Sequence, residues 1–300
     1  YYYNADPIEI GPDNLLSSQI TSRDIDRQDF PHYFLKEISE SPLSVEKTLE
    51  NKFRLQENTP FFETRLTDSC VPASIEEALR SGQIKKIFFI GQGTAGIAAQ
   101  GCADLLRFYL ENQDLEIRAQ KSSELSGFCI IDDNDKDQSM ANTLVVAISQ
   151  SGTTTDTNRT VDMIRGYGAK TLAIVNRRDS DLTFKVDGVL YTSSGRDIEM
   201  SVASTKAFYS QITAGAILGL HFASVTRARS KEFITEEIRE LQSLPDRMRT
   251  VLDMKGDIKD SAFRLAVTRN YWATVGSGAN KTSADEIRIK LSELCYKTIS

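Results

Sequence analysis

From residue 85 onward the chain alternates short apolar runs with longer amphipathic stretches. Ile87-Phe88-Phe89-Ile90 is an unbroken apolar run that ends in glycines, and residues 95–110 follow with an apolar stripe at helical spacing. Residues 115–119, 143–148, 171–175 and 188–191 read as four further strands. A helix is expected over about 154–167, and a long, mostly apolar helix over about 204–224. Strands that are apolar at consecutive positions are covered on both faces. Separated by helices, they predict a doubly wound α/β domain, a parallel sheet with helices on both sides.

The flanks differ from this middle. Residues 1 to about 45 are polar and irregular, with Pro7, Pro12, Pro31 and Pro42 spread through them. They read as a linker closing on a short helix at 30–38, with Asp29 as its N-cap and Pro31 in its first turn. Helical stretches are expected at 43–56 and 74–81, and a charged helix at 231–254 interrupted near Pro245. Residues 271–275 then run into Gly276-Ser277-Gly278 and a helix over 282–296, repeating the strand–glycine–helix unit of 87–110. Two copies of one unit imply tandem domains. The expected organisation is a linker and opening helix at 1–45, a first doubly wound domain at 46–225, and a connecting helix with the start of a second domain at 226–300. One strand and one helix cannot bury a sheet, and the chain starts at Tyr1, so it reads as a piece of a longer protein.

Composition narrows the partners. With 40% hydrophobic and 26% charged residues the 300-residue chain is ordinary for a globular protein, and its net charge of −6 offers no footprint for nucleic acid or an anionic membrane. No apolar run approaches the roughly 20 residues of a membrane span. Cys70, Cys102, Cys129 and Cys295 lack C-x-x-C spacing, and only His32 and His221 could join them, so no metal is expected. Free thiols in a cytoplasmic protein are the expectation.

Three loops carry candidate chemistry. Gly91-Gln92-Gly93-Thr94-Ala95-Gly96 satisfies G-x-G-x-x-G between strand and helix, the opening of a dinucleotide site. The acidic partner that fingerprint wants at the end of the second strand is displaced, because that strand ends in Arg118-Ala119-Gln120-Lys121 and Glu116 lies near its start. Glycines that let the first helix pack closely explain the loop equally well. The second loop follows the third strand. Of residues 149–157 (Ser149-Gln150-Ser151-Gly152-Thr153-Thr154-Thr155-Asp156-Thr157), six carry hydroxyls. A helix N-terminus supplies unpaired N–H groups and partial positive charge, which suits phosphate, and hydroxyls complete the shell without a lysine. One helix cap needs one such residue, not a cluster. The third is Glu199-Met200-Ser201-Val202-Ala203-Ser204-Thr205-Lys206, which faces the same crevice; there Ser204 serves either as an N-cap or as a contact.

Ile148-Ser149-Gln150-Ser151-Gly152 with Thr154, and Val202-Ala203-Ser204-Thr205-Lys206-Ala207-Phe208, resemble the signatures of sugar-isomerase (SIS) domains. More narrowly they are similar to the isomerase half of the glutamine–fructose-6-phosphate aminotransferase family, the glucosamine-6-phosphate synthases. His32-Tyr33-Phe34-Leu35-Lys36-Glu37-Ile38 with Pro42 is similar to that family's passage into its isomerase half. The resemblance runs from about residue 29 to residue 300. It implies an enzyme that makes glucosamine 6-phosphate from fructose 6-phosphate and glutamine, working as a cytoplasmic homodimer without a cofactor. It places sugar-phosphate contacts on Thr94, Ala95, Ser149, Gln150, Ser151 and Thr154, and a closing loop on Val202, Ala203 and Ser204. Lys290-Leu291-Ser292-Glu293 is similar to the family's Lys-Leu-Lys-Glu, which makes Glu293 the isomerisation base and Lys290 a lysine near the substrate. Without the resemblance Glu293 reads as a solvated helix residue.

Ala95 stands where the family usually has a serine, Gln92 where it has cysteine, and Thr153 where it has glutamate; Asp132-Asp133-Asn134-Asp135-Lys136-Asp137 reads as an acidic insertion. The glutaminase with its cysteine nucleophile, and the remainder of the second domain, lie outside the sequence. Two alternatives therefore stay open: a sugar-phosphate sensor or regulatory module, and a related phosphosugar isomerase or deglycase. With no further strands to support its helix, Glu293 is expected to be unsupported in this chain.

Overall fold

The computed structural model describes residues 11, 25–111, 113–128, 140–295 and 297–300. Its centre is a five-stranded, wholly parallel sheet. Strand β3 (Lys86–Gly91) lies between β4 (Glu116–Lys121) and β5 (Thr143–Ser149), and β6 (Lys170–Val175) and β7 (Gly188–Tyr191) continue outward from β5. A two-stranded antiparallel ribbon, β1 (Phe53–Leu55) with β2 (Phe62–Thr64), precedes it.

Successive strand residues feed two different cores. Ile87, Phe89, Leu144, Val146, Ile148, Leu172 and Ile174 point to one face, where α2 (Ala73–Arg80), α3 (Thr94–Tyr109) and α6 (Lys206–Thr226) cover them. Phe88, Ile90, Val145, Ala147, Ala173 and Val175 point to the other, under α4 (Ser122–Phe128) and α5 (Thr155–Gly166). This is the doubly wound arrangement expected from the unbroken apolar runs. Because the strand order reverses between β3 and β5, the loops leaving their carboxyl ends splay apart there. That crevice is where such sheets bind ligands.

The flanks depart from the expectation in detail. One helix, α1 (Tyr33–Leu49), replaces the two expected at 30–38 and 43–56, and it runs through Pro42. Proline removes one helical hydrogen bond at Ile38. Packing of Val45 and Leu49 against Ile217 of α6 offsets that loss. The N-cap is His32 rather than Asp29, its Nδ1 accepting from the Leu35 amide. Likewise α7 (Lys231–Asp253) is continuous through Pro245. His221 is equally committed, with Nε2 2.9 Å from Glu76 and Nδ1 3.0 Å from the Thr64 hydroxyl.

Beyond α8 (Lys255–Leu265), β8 (Tyr271–Trp272) leads into α9 (Ala279–Cys295), and β9 (Thr298–Ile299) returns to pair in parallel with β8. The second unit thus holds two strands, one more than expected. Its opening reproduces that of the first in atomic detail. A Cβ on Gly91 would lie 2.6 Å from the Ala95 carbonyl oxygen, and one on Gly276 2.2 Å from that of Asn280, four residues on in each case. Gly93 and Gly278 share the left-handed conformation, with φ of 55° and 56°. Cys129 and residues 132–137 lie outside the described residues.

Candidate active site

The crevice at the β3/β5 switch point opens into a cavity of about 260 Å³. The loop after β3 contributes Gln92, Gly93, Thr94 and Ala95, and the loop after β5 contributes Ser149, Gln150, Ser151 and Thr154. Val202 and Ser204 come from the segment before α6, Gln211 from α6 itself, and Lys290 and Glu293 from α9. Residues nearly 200 positions apart in the chain therefore share one wall.

The β5 loop is a tight turn built by its own side chains. Ser149, only 2% exposed, accepts the Gly152 amide on its Oγ, and the Ser151 Oγ accepts the amide and hydroxyl of Thr153. Each serine keeps its own O–H to donate. Gly152 has φ of +67°, and its Cβ position lies 2.0 Å from the Ser180 Oγ. Thr154 occupies the N-cap of α5 but makes no side-chain capping bond, so its hydroxyl is not used up in ending the helix. Ser149 is the buried last residue of β5.

The second wall comes from α9. Thr282, Glu286, Lys290 and Glu293 recur at spacings of four, four and three, which places them on one helix face. That face docks on α3. The Thr282 methyl sits by Gly101, whose missing Cβ would lie 3.3 Å away. Thr94 donates to Glu286 at 3.3 Å, and Lys290 Nζ donates to the Thr94 hydroxyl at 2.8 Å. The same ammonium lies 3.0 Å from Glu293 Oε2 and 3.4 Å from Glu286 Oε1. Glu293 is thus supported from within this chain, contrary to the expectation that its helix would have nothing to lean on. The reason is that α9 uses the first domain, not its own sheet, as its platform.

Of the residues anticipated from the sequence, Thr94, Ala95, Ser149, Gln150, Ser151, Thr154, Val202, Ser204, Lys290 and Glu293 meet in the cavity. Ala203 does not line it; its side chain is buried beneath the loop. Ser204 is not the N-cap of α6: its hydroxyl donates to Glu199, and Thr205 occupies that position. The sequence reading missed Glu286, Gln211 and Gln92 as site residues. For Glu286 a signal existed, the four-residue spacing to Lys290. For Gln211, in an apolar helix, there was none.

Burial raises the Glu286 carboxyl to about 7, with Glu293 adding to the rise and Lys290 and Thr94 opposing it. One of its oxygens is buried without a partner. The folded chain therefore holds a proton that the unfolded chain releases near its ordinary value of 4.5. The resulting stability is full below that value and is lost as pH rises through 7. Glu286→Gln, which cannot ionise, should exceed wild type in stability at pH 8 by on the order of 1–3 kcal/mol, read as a higher Tm, and differ little at pH 5. Equal Tm differences at the two pH values would show that Glu286 is not held protonated.

A larger cavity, about 650 Å³, lies between α1 and the segment after β7. It contains more charge, but its buried lysines are already neutralised. Lys36 lies 2.5 Å from Glu40, and Lys206 lies 2.8 Å from Glu40 and 3.2 Å from Asp197. The crevice at the switch point, with donors aimed into it, is the candidate active site.

Residues 130–220, which span the strands β5 to β7 and part of α6, match the SIS domain family. Over most of its length the chain is similar in sequence to the glutamine–fructose-6-phosphate aminotransferases [isomerizing]. It is 34% identical over 268 residues to the aminotransferase of Mycobacterium leprae, a match covering 89% of this chain and 39% of the relative. It is 31% identical over 278 residues to that of Gloeobacter violaceus, covering 91% and 41%. The chain thus spans about two fifths of these relatives' length. Among solved structures, the C-terminal domain of glucosamine-fructose-6-phosphate aminotransferase from Francisella tularensis superposes with a TM-score of 0.75 at 24% identity, covering 92% of this chain and 70% of that one. Tagatose-6-phosphate ketose/aldose isomerase from Escherichia coli superposes with a TM-score of 0.61 at 16% identity, covering 90% and 66%. At these identities the structures attest the fold alone.

Proposed function

We propose that this chain is the hexose-phosphate-binding isomerase part of an enzyme that forms glucosamine 6-phosphate from fructose 6-phosphate and glutamine. The observation that carries the reading is the α9 face, which brings Lys290 and Glu293 to the same cavity as the Ser149–Thr154 loop. The phosphate binds the hydroxyls and free amides at the start of α5, and holding that end positions the sugar carbons. The Glu293 carboxylate takes the proton from one of C1 and C2 and returns it to the other. Lys290, beside it, stabilises the oxyanion that develops on the neighbouring oxygen. Glu286 does not line the cavity; from behind its wall it accepts from Thr94 and lies beside Lys290, which positions both groups.

The further parts of the reading rest on homology and on the repeated opening unit. Residues 226–300 begin a second domain, whose continuation would cover exposed Phe263, Tyr271 and Val275. The protein works as a cytoplasmic homodimer. Ala95 is the observation that favours a sensor instead, since its methyl lines the cavity where a hydroxyl would donate.

Fructose 6-phosphate or glucosamine 6-phosphate at millimolar concentration should raise the Tm of this chain, whereas NAD and NADP should not. A rise with a dinucleotide and none with either hexose phosphate would overturn the proposal.

A further inference from the structure

The segment 199–205 carries Val202 and Ser204 over the cavity, yet it has no regular structure to hold it. Two carboxylates do so instead. Glu199 closes its C-terminal end, accepting the Thr205 amide at 2.6 Å, the Ala207 amide at 3.1 Å and the Ser204 hydroxyl at 2.6 Å. This is a local clasp, made within a few residues at the start of α6. The other end is gripped from far away in sequence. Glu37, on α1 and only 1% exposed, accepts the Met200 amide at 2.5 Å and the Ser201 amide at 3.1 Å, both on Oε1. Between the two clasps the backbone carries Val202 fully into solvent while Ala203 is buried.

Burying a carboxylate is unfavourable unless its charge is used. Glu37 has no cation within ion-pairing distance among the described residues, and its other oxygen is buried without a partner. Burial raises its carboxyl accordingly, and the two amides pull it back. A residue kept at such a cost for two backbone hydrogen bonds is there to fix that backbone. Its neighbour Glu40 anchors the same helix to Lys206 at the start of α6, so α1 is tied to the segment at both ends.

We infer that Glu37, which touches no part of the cavity, is a positioning residue that sets Val202 and Ser204 over the bound sugar. The inference rests on the sugar-phosphate reading above. It divides the substrate: the phosphate is held by the loop after β5, which Glu37 does not contact, and the sugar end by the segment that Glu37 grips.

The test compares wild type, Glu37→Asp, Glu37→Ala and Glu37→Gln, each checked for native helix content. Binding of fructose 6-phosphate and of inorganic phosphate is measured by calorimetry, and amide exchange of residues 200–204 by mass spectrometry. Aspartate keeps the charge but withdraws the oxygens by about 1.5 Å. It should weaken fructose 6-phosphate binding about ten-fold, leave inorganic phosphate within about two-fold, and speed exchange at 200–204. Alanine should do the same. Glutamine, whose carbonyl oxygen accepts both amides, should restore wild-type behaviour in all three measurements. Wild-type fructose 6-phosphate affinity and exchange in both Glu37→Asp and Glu37→Ala would overturn the inference while leaving the sugar-phosphate reading intact. Equal loss of both ligands would overturn it too, by showing a general structural role. If wild type itself failed to bind fructose 6-phosphate, the functional reading and this inference would fall together.

Discussion

Gly152→Ala is expected to lower Tm by roughly 4–20 °C and to remove measurable hexose-phosphate binding. Two costs add. Left-handed backbone at a residue with a Cβ costs about 1–2 kcal/mol. The new methyl would also lie 2.0 Å from the Ser180 Oγ and 2.6 Å from its Cβ, and forcing such an overlap apart costs about 1–3 kcal/mol. At about 2–4 °C per kcal/mol for a chain of this size, the sum gives the stated range. Binding suffers more than stability because Gly152 is the pivot of the phosphate loop. Its amide donates to Ser149, and its carbonyl accepts from the Leu182 amide at 2.9 Å and from the Asn158 side chain at 3.1 Å. Adding Ser180→Gly should relieve the steric part and leave the backbone part, recovering about half of the lost Tm. Thermal denaturation and calorimetry with fructose 6-phosphate check both statements. Wild-type affinity in Gly152→Ala would mean the turn does not hold the phosphate.

Glu293→Gln is expected to reduce aldose–ketose isomerisation by about 10²–10⁴-fold, the range typical of a removed general base. The measurement compares interconversion of hexose phosphates by wild type and variant under identical conditions. Affinity for hexose phosphate should change little. Glutamine keeps the shape and can still accept from Lys290, and the phosphate loop is elsewhere in the cavity. Lowered kcat with unaltered ligand Kd is the signature of an interaction used only in the transition state. Turnover at the wild-type rate would remove Glu293 as the base, whereas no turnover by wild type would favour the sensor reading, for which Ala95 already speaks. Isomerisation by this 300-residue chain alone would fit the support that α3 gives to α9.

Much of this protein was legible without coordinates. The five strands announced themselves because a doubly covered parallel sheet must be apolar at every position, and Phe88 and Phe89 serve opposite cores. The hydroxyl-rich turn after β5 was legible because a glycine turn into a helix N-terminus is local, complete within Ser149 to Thr154. The second copy of the strand–glycine–helix unit showed for the same reason: Gly91 and Gly276 each admit a carbonyl four residues ahead.

What was missed is non-local. The continuity of α1 and α7 through Pro42 and Pro245 could not be read from the prolines, because packing against α6 and neighbouring helices outweighs a single lost hydrogen bond. The sequence sufficed to place a hydroxyl-rich turn at the end of a parallel strand, since its glycine, hydroxyls and helix start are contiguous. Only the tertiary structure decided what faces it. Glu286 becomes a carboxyl titrating near 7 because α9 presses it against Thr94 and away from water. Glu37 becomes the grip on the closing loop because α1 passes more than 160 residues away in sequence but 2.5 Å away in space. Desolvation and long-range hydrogen bonds exist only once distant segments are packed together, and no spacing along the chain encodes them.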